Sequence, residues 1–70
     1  MRKYCIDKNY VLGTISSKNL TVTDFCKKLG CSRVNLYMAL NRSYRAPRSL
    51  FINKVIKELD LIDNLVWVVE

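Results

Sequence analysis

The side chains that could do chemistry in this 70-residue chain are mostly cations, and they are unevenly distributed. No acid occurs between residues 25 and 57. The basic residues in this range are Lys27, Lys28, Arg33, Arg42, Arg45, Arg48, Lys54 and Lys57. After it, the charged residues are Glu58, Asp60, Asp63 and Glu70, and the net charge of the chain is +6. A basic block of this kind favours a surface that faces phosphate groups, and an ordinary solvated face is the alternative.

Catalysis has little to build on in this sequence. There is no His to transfer protons, and the two glycines, Gly13 and Gly30, form no phosphate-binding loop. The three cysteines, Cys5, Cys26 and Cys31, have no paired spacing, and we expect reduced thiols that pack as small hydrophobic groups. The sequence therefore predicts a binding protein rather than an enzyme, with no catalytic residues, metal ligands or cofactor.

Length and hydropathy indicate one small domain over residues 1–70. Half of the residues (50%) are hydrophobic, which is too many for a disordered tail. No apolar run is long enough to span a bilayer, and no signal-peptide pattern is present. We therefore expect a cytoplasmic protein without membrane contact.

Residues 20–41 carry the local signals of two short helices joined by a tight turn. Thr21 and Ser32 are residue types that cap helix N-termini, and Gly30 suits the left-handed residue that often ends a helix. Apolar residues recur at helical spacing on one face of each helix. These are Val22, Phe25, Cys26 and Leu29 in the first helix and Leu36, Ala39 and Leu40 in the second. The sequence therefore predicts helices over residues 21–29 and 33–41.

Further helices are predicted on either side of this pair. Asp7 and Ser49 are capping residues at the start of two of them. Their apolar positions are Tyr10, Val11, Leu12 and Ile15 in the first helix and Leu50, Ile52, Val55, Ile56 and Leu59 in the second. If Ile56 is fully buried, its replacement by Ala costs about 2–5 kcal/mol.

The last segment, residues 60–70, is compatible with two structures. Asp60 and Asp63 have the spacing of a helix start, whereas the residues after Leu65 are strand formers. We expect a helix through about Leu65 with an extended end. As a strand, this end would pair with residues 2–6 or with its copy in a second subunit. Trp67 adds apolar surface, which indicates either a dimer contact or a tail folded back on the core.

The turn region resembles the helix-turn-helix of Cro/cI-type phage repressors, the XRE-like family. The matching residues are Phe25, Cys26, Leu29, Gly30, Cys31, Leu36 and Ala39. The resemblance covers roughly residues 20–59, and Ala39 is smaller than the branched residue usual in the family. It implies a mainly α, compact, lambda-repressor-like domain of four to five helices, with short terminal strands as an alternative for the ends. It also implies a phage or prophage transcriptional regulator or repressor that binds a double-stranded DNA operator as a homodimer.

The base-facing positions of this family match the outer face of the helix over residues 33–41. They are Ser32, Arg33, Val34, Tyr37, Met38 and Asn41. Phosphate contacts are expected from Thr23, Lys27, Lys28, Arg42, Tyr44, Arg45 and Arg48. Arg33 suits guanine, Asn41 suits adenine or a phosphate, and the apolar side chains suit thymine methyl groups. For Tyr44, packing against the domain is an equal alternative.

The outer face of this helix is also poor in hydrogen-bond donors, because Val34, Tyr37 and Met38 are largely apolar. An exposed apolar stripe of this kind can mark a protein partner. The second hypothesis is therefore a repressor modulator or antirepressor of the same fold, which binds a phage repressor protein through these three side chains. RNA binding is a third hypothesis.

Overall fold

The computed structural model describes residues 2–70, and helices make up most of this range. In chain order the elements are β1 (Tyr4–Ile6), α1 (Lys8–Ser17), α2 (Val22–Leu29), α3 (Arg33–Asn41), α4 (Leu50–Leu59), α5 (Asp63–Val66) and β2 (Trp67–Val69). The mainly α domain expected from the sequence is confirmed, with five helices and two short terminal strands. Met1 lies outside the described residues, so the predicted first segment is described from Arg2 onward. Within residues 2–70, no helix combines the length and the apolar character that crossing a membrane requires.

Four helices begin at the capping residues that the sequence identified. The side chains of Asp7, Thr21, Ser32 and Ser49 each accept the backbone N–H three residues ahead, at 3.1, 3.0, 3.1 and 3.4 Å respectively. Each of these bonds satisfies an N–H group that the first turn of a helix leaves without a partner. The capping side chains therefore define where α1, α2, α3 and α4 start.

The turn between α2 and α3 is built on Gly30, whose φ is 74°. A hydrogen bond spans Gly30: the N–H of Cys31, just after it, donates to the carbonyl of Cys26 at 3.0 Å. A left-handed residue inside such a bond is the Schellman ending of a helix, and it reverses the chain sharply. A residue with a Cβ atom would be strained at this φ, and glycine, which has none, adopts it without strain.

The core lies where the inner faces of the helices meet the terminal sheet. Every element contributes at least one buried side chain, and none of the buried side chains among residues 2–70 is polar or charged. The buried residues are Ile6, Val11, Ile15, Phe25, Cys26, Leu36, Leu40, Ile52, Val55, Leu59, Leu61, Val66 and Trp67. The inner faces predicted for the helix pair are therefore the ones that face the core.

The apolar stripe predicted for α4 is wrong at one end. Leu50 is 87% exposed, whereas Ile52, Val55 and Leu59 are buried. Because an α-helix has 3.6 residues per turn, Leu50 lies about 200° around the axis from Ile52 and points away from the core. Ile56 is only half-buried. Its replacement by Ala therefore removes fewer core contacts than full burial would imply.

The chain after α4 corrects a second expectation. Asp60 does not start a helix; it has φ 56° and ends α4 as a left-handed cap. Asp is one of the few residue types that visit this conformation, since its short side chain can hydrogen-bond locally. α5 begins at Asp63 instead, and the N–H of Ile62 just before it donates to the Tyr10 hydroxyl at 2.9 Å. The extended end expected after Leu65 is present as β2.

β1 and β2 form a two-stranded antiparallel sheet, so the strands pair within one chain. The register places Tyr4 opposite Val69, Cys5 opposite Val68 and Ile6 opposite Trp67. Trp67 is only 8% exposed, and its ring meets that of Tyr44 edge to face at 5.2 Å between centroids. Of the two alternatives for Trp67, the structure therefore has the tail folded back on its own core.

Candidate nucleic-acid interface

The outer face of α3 is open along its whole length. The six side chains predicted to face bases, Ser32, Arg33, Val34, Tyr37, Met38 and Asn41, are all exposed. On the opposite side of the same helix, Leu36 and Leu40 are buried in the core. Because the buried side holds the helix to the domain, the outer side is free to enter a groove or meet a partner.

In the first turn of α3, the Ser32 side chain is engaged and the Arg33 side chain is free within the described part of the chain. The Ser32 hydroxyl accepts the N–H of Asn35 at 3.1 Å, so its oxygen serves as the helix cap. The guanidinium of Arg33 is exposed and takes part in none of the side-chain hydrogen bonds among residues 2–70. The Arg33 guanidinium, at the start of α3, is therefore available to donate hydrogen bonds to a ligand.

At the other end of α3, the Asn41 amide is engaged inside the chain. Its Nδ2 donates to the Tyr37 carbonyl at 2.8 Å, and its Oδ1 accepts from Lys8 Nζ at 2.7 Å. An Asn that pairs with adenine uses both ends of its amide. In this arrangement each end of the Asn41 amide already has one partner, which fixes the orientation of the amide and holds the Lys8 ammonium beside the end of α3. The sequence did not identify Lys8, because 33 positions separate the two residues.

Two shallow depressions meet at Met38. One, of about 470 Å³, is lined by Arg33, Val34, Tyr37, Met38 and Asn41. The other, of about 500 Å³, is lined by Cys31, Asn35, Met38, Ala39, Arg42, Tyr44, Ser49 and Phe51. The second depression adds Asn35, an exposed amide on α3 that the sequence analysis did not include among the base-facing residues. Its position three residues after Ser32 and three before Met38, both predicted to face bases, is the signal that could have found it.

Tyr44 packs against the domain. Its hydroxyl donates to the Ala39 carbonyl at 2.7 Å, and its ring contacts Trp67 on one side while the Arg42 guanidinium lies 5.2 Å from the ring centroid. Burial raises the pKa of the hydroxyl above its ordinary value, and nearby Arg42 opposes this shift. Of the two alternatives for Tyr44, the internal contact is the one present, and its O–H is committed within the chain.

The remaining predicted phosphate contacts form two groups. Arg42, Arg45 and Arg48 are exposed in the loop between α3 and α4. Thr23, Lys27 and Lys28 are exposed on α2, but Lys28 lines a depression of about 410 Å³ together with Leu29, Lys54, Lys57 and Glu58. Lys28 is therefore grouped with the cations of α4 and an acid rather than with the loop beside α3.

A further basic cluster adds Arg2 and Lys3, which are not among the predicted phosphate contacts, to Arg45, which is. Arg2 and Lys3 line a small depression of about 180 Å³ with Ser43, Tyr44 and Arg45. The backbones of Tyr4 and Tyr44 exchange two hydrogen bonds there, at 2.9 and 2.8 Å. This pairing joins the start of the chain to the loop after α3, and no local sequence signal identifies a contact across 40 positions.

The cysteines provide packing and no evident ligand set. All three are free thiols, with Cys26 buried and the other two half-buried. Burial raises the pKa of the Cys26 thiol above its ordinary value, and the neighbouring Cys31 thiol adds to the shift. Within residues 2–70 there is no group of three or more His, Cys, Asp or Glu side chains that could hold a metal ion.

Comparisons of the chain with models of known protein families, with curated proteins and with solved structures found no match. The geometry of the α2–α3 pair and the charges around it are therefore the features that bear on function.

Proposed function

We propose that this protein is a sequence-specific, double-stranded DNA-binding transcriptional regulator of the Cro/cI type. The observation that carries the proposal is the contrast between the two faces of α3. Its inner face is buried through Leu36 and Leu40, and its outer face is exposed and bordered by cations at its C-terminal end. A helix with side chains is about 10–12 Å wide, which fits the major groove of about 12 Å.

Base reading in this proposal begins at the N-terminal turn of α3. Arg33 would donate two bonds to O6 and N7 of guanine, a contact that discriminates by about 1–3 kcal/mol. Val34 and Met38, further along the same face, would contact thymine methyl groups. Asn35 replaces Asn41 as the candidate for an adenine contact, since the Asn41 amide already bonds Lys8 and the Tyr37 carbonyl.

Affinity in this proposal comes mainly from cations around the helix. Arg42, Arg45 and Arg48 in the loop, with Lys8 at the end of α3, would meet backbone phosphates on one side of the groove. Lys27 and the Thr23 hydroxyl on α2 would do so on the other. Each neutralised phosphate releases counterions, so the logarithm of the binding constant should fall with the logarithm of salt with a slope of about −0.9 per contact.

A homodimer is part of the proposal. Regulators with this motif bind two half-sites about one helical turn apart. Four of the large exposed apolar side chains, Ile62, Leu65, Val68 and Val69, belong to the last nine residues and supply apolar surface for self-association. Sedimentation equilibrium tests this part. A chain that stays monomeric at the concentrations where it occupies its operator would contradict it.

A regulator of phage or prophage genes would act in the bacterial cytoplasm.

The test of DNA reading is a binding-site selection on random duplexes, followed by two matched variants. Arg33→Ala should relax the preference at one base position by about 1–3 kcal/mol. Arg48→Ala removes the same charge from the loop and should weaken binding to all sequences alike. Failure of the wild-type protein to bind heparin or any duplex at low salt would overturn the proposal.

A second candidate function is a repressor modulator or antirepressor that binds a phage repressor protein. The observation in its favour is the apolar character of the α3 face, where Val34 and Met38 are each 65% exposed and Tyr37 is 39% exposed. Under this hypothesis Met38→Asp should abolish the protein complex and leave the fold and heparin binding intact. If the wild-type protein forms no repressor complex and Met38→Asp loses operator binding, the result favours the first candidate.

A further inference from the structure

The start of the chain and the loop after α3 bring three cations together. In the antiparallel pairing of Tyr4 with Tyr44, the next residues outward are Lys3 and Arg45, which therefore lie opposite each other. Directly opposite residues of an antiparallel pair project from the same face. Arg2 lines the same depression, of about 180 Å³, and so does Ser43. The residues that line the depression thus include one Lys, two Arg and one Ser.

This arrangement is electrostatically unfavourable unless an anion is present. Like charges directly opposite each other destabilise a strand pair. Within residues 2–70, none of the three cations takes part in a side-chain hydrogen bond. The nearest acid along the sheet is Glu70, whose N–H donates to the Lys3 carbonyl at 2.9 Å from the other side of β1. One carboxylate offsets only part of three positive charges.

The chemistry of the cluster selects an oxyanion with several acceptor oxygens. Guanidinium and ammonium groups are donors only, and guanidinium forks match phosphate oxygens. The Ser43 hydroxyl has only a weak partner, the Cys5 sulfur at 3.9 Å, so it can add a donor. A phosphate group satisfies all of these groups at once.

The cluster lies next to the C-terminal end of α3. Tyr44, at its centre, donates from its hydroxyl to the Ala39 carbonyl of that helix at 2.7 Å. Arg42 lies over the Tyr44 ring, and β1 packs against α3. A duplex that receives α3 in its major groove would therefore bring its flanking backbone close to the depression.

We propose that Arg2, Lys3 and Arg45, with Ser43, form a phosphate site that grips the DNA backbone beyond the recognition helix. This inference rests on the proposed DNA-binding function. A free phosphate or pyrophosphate group has the same chemistry, so the experiment separates the two sources.

The experiment compares the wild-type protein, the double variant Arg2→Ala/Lys3→Ala and the control Lys54→Ala/Lys57→Ala. Both variants lose two exposed charges, but the control cations lie on α4 beside Glu58. Binding to the selected duplex is measured over a salt series, and amide chemical shifts are followed by NMR during titration with pyrophosphate. Circular dichroism confirms that each variant is folded.

The expected result is a salt slope reduced by about 1–2 in Arg2→Ala/Lys3→Ala and unchanged in the control. Pyrophosphate should shift the amides of Lys3, Ser43 and Arg45 in the wild-type protein and not in this variant. Equal slopes for wild type and both variants would overturn the site and leave the proposed function standing. Pyrophosphate shifts without any duplex binding would overturn the DNA backbone as occupant together with the proposed function. If the wild-type protein neither binds a duplex nor shows pyrophosphate shifts, the site and the proposed function are refuted together.

Discussion

Replacement of Tyr44 by Phe separates the two roles considered for this side chain. The substitution removes the O–H that donates to the Ala39 carbonyl at 2.7 Å and keeps the ring that meets Trp67 at 5.2 Å. The net worth of one such hydrogen bond is about 1 kcal/mol. The free energy of unfolding should therefore fall by about 1 kcal/mol, with no loss of the aromatic contact.

Urea unfolding followed by fluorescence measures this loss directly. Trp67 is the only tryptophan, and it is buried, so its emission reports the unfolding of the sheet and core. For a domain of this size, the free energy of unfolding falls by about 1 kcal/mol per molar urea, so the midpoint should fall by about 1 M. Tyr37→Phe is the matched control. Its hydroxyl is on the exposed face of α3, so removing it should change stability by less than about 0.5 kcal/mol.

The same variants decide whether the Tyr44 hydroxyl touches DNA. If the hydroxyl is committed to Ala39, Tyr44→Phe binds duplex DNA with the wild-type salt slope. An unchanged urea midpoint together with weaker binding to all duplex sequences would contradict the internal role of the Tyr44 hydroxyl. That combination would mean that the hydroxyl leaves the Ala39 carbonyl and donates to a phosphate.

Two further predictions concern stability. Gly30→Ala should lower the free energy of unfolding by about 1–2 kcal/mol because of its φ of 74°, whereas Gly13→Ala, inside α1, should raise it by about 0.5–1 kcal/mol. Both sites have open space around the added Cβ, so equal effects in urea unfolding would contradict this argument. Because the pKa values of Cys26 and Tyr44 are raised in the folded state, these two groups should leave stability unchanged well below the ordinary pKa of a Cys, 9.0, and lower it as pH rises past that value and past the ordinary Tyr pKa of 10.0. A urea midpoint that rises above this pH, or that falls equally in a Cys26→Ala/Tyr44→Phe variant, would contradict it.

The helix starts were predictable because capping is local. A hydroxyl or carboxylate reaches an N–H three residues ahead, so both partners lie within one short stretch of sequence. Thr21 and Ser32 could therefore be assigned without knowledge of the fold, and so could the turn at Gly30. The same locality explains the success for the inner face of α3, where Leu36 and Leu40 have helical spacing.

The two wrong predictions concern Leu50 and Asp60, where residue type alone does not fix the position on the helix or the backbone conformation. Leu50 was assigned to the core side of α4 because it begins an apolar run, although its angle to Ile52 places it on the opposite side. Asp60 looks like a helix start in the sequence because Asp63 follows it at capping distance. In the structure Asp60 instead ends α4, because the left-handed end of that helix requires a residue that tolerates positive φ.

The basic block in the sequence is not a single basic face in space. Lys28 joins Lys54 and Lys57 beside Glu58, away from the end of α3. Arg45, by contrast, gains Arg2 and Lys3 through the pairing of Tyr4 with Tyr44, and none of these contacts is local. The sign of the charge on each element could be predicted from the sequence, but its neighbours could not. The strand β1 contributes no base-reading side chain in the proposal, yet its pairing with Tyr44 brings two cations beside the loop that follows α3. A variant that breaks this pairing should therefore weaken DNA binding at every sequence, even though α2 and α3 are unchanged.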